Sequence, residues 1–103
     1  MGIVTELHAD PGTTVSLTSS DSAQAIPAGV LNASNKPAKR VWITVEDNTV
    51  RVGFGGAAIS TSLGHLFYAG DIIKLDSYKQ ANEFRVISAV AGVHGVLQIT
   101  GEY

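Results

Sequence analysis

The sequence predicts an all-β protein, a single antiparallel β-sandwich of about seven or eight short strands with an extended N-terminal segment. Three observations lead there. Residues that suit a pleated, half-buried surface come in short runs that alternate apolar and polar. Turn-forming residues separate those runs at the spacing common in sandwiches. No segment sustains a helical period. Close turns also favour antiparallel pairing, because a parallel crossover needs about a dozen residues or more.

The chain is organised around residues 40–56, RVWITVEDNTVRVGFGG, which read as one long β-hairpin. Val41, Trp42, Ile43, Thr44 and Val45 form its first strand. Asp47 and Asn48 sit at the break, and both tolerate the left-handed backbone of a tight turn. Val50, Val52 and Phe54 share one face of the second strand, and Arg51 takes the other. Neighbours alternate faces, so either Trp42 or the set Val41, Ile43 and Val45 points inward. The inward set is expected to pack on Phe84, Val86 and Ile99.

Before this stretch, residues 3–8 form a short strand or an ordered arm, and Asp10-Pro11-Gly12 makes a turn. Residues 13–18 (TTVSLT) are a strand with Val15 and Leu17 on one face. Residues 19–22 are a loop. Residues 23–31 (AQAIPAGVL) hold Pro27, which removes a ladder donor, so they are an edge strand or an extended loop. Residues 32–39 (NASNKPAK) are the clearest loop. After the centre, 55–64 are irregular, and 65–75 (HLFYAGDIIKL) turn at Ala69-Gly70-Asp71 with a short strand on either side. Residues 76–82 are a polar loop with room for one helical turn. Residues 83–90 are a strand, 92–95 a loop, and 96–103 the final strand. There is no internal repeat or linker, so 1–103 form one domain, with 1–12 as a candidate N-terminal arm.

A chain of 103 residues supports one modest core. Hydrophobic residues make up 45% and charged residues only 16%, less than the usual quarter. An under-charged surface suggests cover by a partner. The net charge is −2 and the seven Lys and Arg are scattered, which argues against nucleic-acid binding. Without cysteine there is no disulfide or thiolate chemistry. The first residues lack the pattern of a signal peptide, and no apolar run is long enough to span a membrane.

No motif points to catalysis, a metal or a cofactor. Gly53 to Ala58 fits G-x-G-x-x-A after a strand. The following ISTSLG is a poor helix, and too little chain remains for a dinucleotide fold. His8, His65 and His94 have no second ligand at metal-motif spacing. There is no G-x-S-x-G elbow, and the carboxylates are dispersed, with Asp47 and Asp71 explained by turns. Trp42, Phe54, Phe67 and Phe84 are expected in the core, and Tyr68 is expected to be buried. Tyr68, Tyr78 and Tyr103 are the candidates for partner contact, since tyrosine suits surfaces that are half apolar and half wet, with burial favoured for Tyr68.

From residue 23 onward, AQAIPAGVL, RVWITVEDNTVRVGFGG, GHLFYAGDIIKL, FRVI and VLQITGEY together resemble a family of small virion structural proteins of tailed bacteriophages. The resemblance implies a β-sandwich or jelly-roll-like subunit and no enzyme activity. It implies a head decoration (cement) protein, made in the host cytoplasm and placed on the capsid surface of the virion. Its partners would be copies of itself, as a homotrimer, and the major capsid protein. Ile3, Val4, Leu7 and His8 of the N-terminal segment, with Tyr78 and Tyr103, are the expected partner-binding residues. The alternatives are a tail-associated or receptor- or carbohydrate-binding β-module and a metal-dependent cupin-like enzyme.

Overall fold

Alternation settles which side of the central strand turns inward. Val41, Ile43 and Val45 are at most 1% exposed, while Trp42 and Thr44 lie on the outer side. The computed structural model describes residues 11–33 and 35–103. It is mostly β, 52% strand and 11% helix, with antiparallel sheets. The expected arm residues Ile3, Val4, Leu7 and His8 lie outside the described residues.

In chain order the first elements are β1 (Pro11–Thr18), β2 (Gln24–Ala25), α1 (Ala28–Leu31), β3 (Asn32–Ala33), β4 (Lys36–Pro37) and β5 (Arg40–Asp47). Then come β6 (Val50–Gly53), β7 (His65–Phe67), β8 (Ile72–Leu75), α2 (Tyr78–Glu83), β9 (Arg85–Ser88) and β10 (Val96–Glu102). One sheet has the order β1-β10-β5-β8, a second β2-β9-β6-β7, and β3 pairs only with β4. The described residues thus hold ten strands, three of them only two residues long. The expected count of about seven or eight missed these short pairings.

The central stretch is not a hairpin. β5 pairs with β10 and β8, and β6 pairs with β7 and β9. The corner at Asp47-Asn48 therefore carries the chain from one sheet to the other. Asn48 has the expected left-handed backbone, φ 56, and its side-chain amide donates to the His94 carbonyl at 2.8 Å. Hairpin and corner use the same turn residues. Here the two apolar faces meet across the core rather than lying side by side in one ribbon. Residues 65–75 repeat the lesson. Asp71 accepts from the Tyr68 N–H at 2.8 Å and closes the expected turn, yet β7 and β8 belong to different sheets.

Both four-stranded sheets contribute to one buried cluster. Val41, Ile43, Val45, Leu97 and Ile99 come from the first, and Val50, Val52 and Val86 from the second. Phe84 is fully buried in the same cluster, as expected for the partners of the inward set. Phe54 does not continue the face of Val50 and Val52. β6 stops at Gly53, and Phe54 is 41% exposed. Tyr68 is also exposed rather than buried, because its turn runs along the rim between the sheets.

Two stretches gained helix. After Pro27, residues expected as strand or loop form the single turn α1, with Val30 and Leu31 buried. α2 fills the polar loop at 76–82, and Ser77 caps it by accepting from the Gln80 N–H at 3.1 Å. Replacing Ser77 with alanine leaves that N–H without its cap and is expected to cost about 0.5–2 kcal/mol, read by thermal denaturation.

Candidate functional site

A serine and a histidine come within bonding distance at one end of the molecule. Ser88 Oγ lies 2.9 Å from His94 Nδ1 and 2.8 Å from Ser19 Oγ. The Gly95 N–H donates to Ser19 Oγ at 2.7 Å. This resembles a nucleophile and its base, but Ser88 has no solvent exposure and Ser19 only 2%. A sealed hydroxyl does not meet a substrate. The pair instead satisfies polar groups that would be costly to bury alone, and so fastens the β9–β10 connection to the loop after β1. Sequence reading saw neither serine as special, because only the fold brings residues 19, 88 and 94 together.

Among the described residues, no group of three or more His, Asp or Glu side chains is arranged to hold a metal. His65 packs against the Phe54 ring, with centroids 5.7 Å apart. The G-x-G-x-x-A stretch leads into turns and irregular chain rather than a helix. That loop folds back over the second sheet, where Arg51 donates to the carbonyls of Thr61 at 3.0 Å and Gly64 at 2.9 Å. No helix of the described residues is long and apolar enough to cross a membrane.

Two of the sequence-predicted partner residues do come together. Tyr78, at the start of α2, and Tyr103, just beyond β10, line one groove of about 470 Å³ with Lys36, Lys39 and Asp76. Tyr103 is half-buried against the core, and its hydroxyl donates to the Val30 carbonyl at 2.5 Å. It forms a fixed wall, while Tyr78 stays exposed. Asp76 accepts from Arg40 Nε at 2.9 Å, so its carboxylate is already neutralised. The lysines leave the groove net positive.

The same end carries more cations around Trp42. Lys74 Nζ stands 4.9 Å and the Arg40 guanidinium 5.8 Å from its ring, within reach of cation–π attraction. The Trp42 indole N–H donates to the fully buried Glu102 carboxylate. Trp42 was expected in the core. It instead covers the outer side of the first sheet, where its N–H has a partner, as a half-buried indole requires. No family model matches this chain, nor does any curated protein or solved structure.

Proposed function

We propose that this chain is a structural subunit of a tailed-bacteriophage particle. In this reading it is a head decoration protein on the capsid surface that associates with copies of itself, as a trimer, and binds the major capsid protein. The sequence resemblance from residue 23 onward is one support. The observation that carries the reading is the surface. Large side chains that a monomer would gain by burying, among them Leu63, Leu66, Tyr68, Val90 and Val93, are exposed on a chain with 16% charged residues.

A jelly-roll architecture belongs to the same proposal. The chain passes between the two four-stranded sheets after β1, after β2 by way of β3 and β4, and after β5, β7, β8 and β9, and stays within one sheet from β6 to β7. Paired sheets fed alternately in this way are what a double-sheet jelly roll requires, an architecture found in capsid subunits and in lectins.

Purified protein at micromolar concentration is expected to scatter light as an oligomer and to co-sediment with phage capsids. A strict monomer that ignores capsids and binds a glycan would replace this reading with the receptor module. Neither catalysis nor a cofactor enters the proposal.

A further inference from the structure

Building on the self-association proposed above, we infer that copies of this chain associate head to tail. The acidic turns at one end of a copy, led by the tip at Val90 and Val93, seat in the Lys36–Tyr78–Tyr103 groove of the next.

The charges are sorted by end. Lys36, Lys39 and Arg40 lie where β5 begins, and Lys74 and Lys79 line the neighbouring hollow under α2. The ion pairs Arg40–Asp76 and Lys79–Glu83 are both at this end. At the other end lie Asp21 and Asp71 in turns and Glu46 and Asp47 at the close of β5, and none of these has a Lys or Arg within ion-pair distance among the described residues. Contacts among the turns place them together. Asp21 Oδ1 accepts from the Gly92 N–H at 3.0 Å, Asn48 reaches the His94 carbonyl, and the Gly70 N–H donates to Val45 at 2.7 Å.

β5 runs from Arg40 at the basic end to Asp47 at the acidic end. Eight residues at about 3.3 Å each set the poles roughly 25 Å apart. One copy therefore cannot neutralise its own poles, but two copies can.

Shape and polarity agree with charge. Val90 and Val93 form a narrow reversal closed by the Val93 N–H to Val90 carbonyl bond of 3.0 Å. They are 58% and 43% exposed. Asp21, tied to Gly92, sets a carboxylate beside this apolar tip. The groove offers the complement, tyrosine walls with lysine ammonium groups at the rim. The two surfaces are different patches, so the contact is heterologous and closes into a ring when the rotation allows. A cyclic trimer is built from contacts of this heterologous kind.

The test is sedimentation velocity on the full chain. Wild-type protein is expected to associate at micromolar concentration, with affinity falling about tenfold or more from low to high salt as the poles are screened. Lys36→Glu/Lys39→Glu makes the groove acidic, and Asp21→Asn/Glu46→Lys/Asp47→Lys, which keeps an acceptor oxygen at residue 21 for the Gly92 N–H, makes the turns at the other end net positive. Each variant alone is expected to sediment as a monomer, while an equimolar mixture associates again, because a junction between unlike variants is complementary. Val93→Lys, on the exposed tip, sets a cation against the lysines of the groove and is expected to sediment as a monomer without a change in either lysine. Wild-type monomers, variants that assemble alone, or a mixture that stays dissociated would each overturn the inference. If Lys36→Glu/Lys39→Glu keeps self-association and loses only capsid binding, the groove faces the capsid and the inference fails while the capsid reading stands. Reassembly as expected without any capsid binding upholds the inference and removes the capsid reading.

Discussion

Phe84→Ala, which truncates the largest fully buried side chain among the described residues, is expected to lower the unfolding free energy by about 3–5 kcal/mol. Phe84 follows α2 directly, is fully buried, and belongs to the cluster that both large sheets share. Truncation removes the apolar transfer energy of the ring and leaves a cavity that rigid strands on both sides fill only in part. Domains of this size are stable by about 5–15 kcal/mol, so the variant stands near the edge of folding. Phe54, whose ring lies 5.9 Å from that of Phe84 but which is exposed, is expected to lose less on truncation. Urea denaturation of both variants checks this. Equal losses would mean that Phe84 does not hold the two sheets together.

Gly95→Ala is expected to cost about 1–3 kcal/mol, by overpacking rather than by a cavity. A Cβ at this position would lie 2.9 Å from the Asp47 carbonyl oxygen and 2.7 Å from Val50 Cγ1. The Asp47 oxygen is backbone at the corner between the sheets, so it yields only if the corner moves. The Gly95 N–H also anchors Ser19, so a shift would strain the buried Ser19–Ser88 contact. Gly29 is the control. Nothing stands within 4 Å of its added Cβ, and it sits in helical α1, so alanine there is expected to be neutral or stabilising by up to about 1 kcal/mol. Thermal melts that move both variants alike would remove the packing account.

Local rules made several elements legible. Asn48 takes the left-handed backbone that its place after Asp47 suggested. Asp71 closes its turn, and the helical turn at 76–82 forms behind a serine cap. The inward set of β5 follows from alternation once one face is chosen. The partner of each strand was hidden. Alternation says which side of a strand is apolar but not which strand lies beside it, and a turn residue bends the chain equally well into a hairpin or across a core. That is why residues 40–56 read as one ribbon and fold as two layers. The groove was hidden for the same reason. Tyr78 and Tyr103 were each visible as candidates, but only the close of β10 beside the loop before α2 makes them walls of one cleft with Lys36 and Lys39. The Ser88–His94 contact had no sequence signal, because its meaning depends on burial.

β10 occupies the middle of its sheet, between β1 and β5, and within that sheet β1 pairs with β10 alone. Val15 meets Ile99, and Ile99 in turn meets Ile43. A ribosome that has delivered everything through residue 95 has thus delivered a sheet without its centre. β1 has nothing to pair with, and β5 shows an open edge on the side that β10 will fill. β1 and β10, the first and last strands of the described residues, must find each other before the first sheet exists, which places folding in the slow range of proteins dominated by non-local pairing, about milliseconds to seconds. During that interval two long apolar edges stand open to any neighbouring chain. In a cell making many copies at once, the interval between synthesis of residue 95 and capture of β10 is when correct folding competes most directly with aggregation.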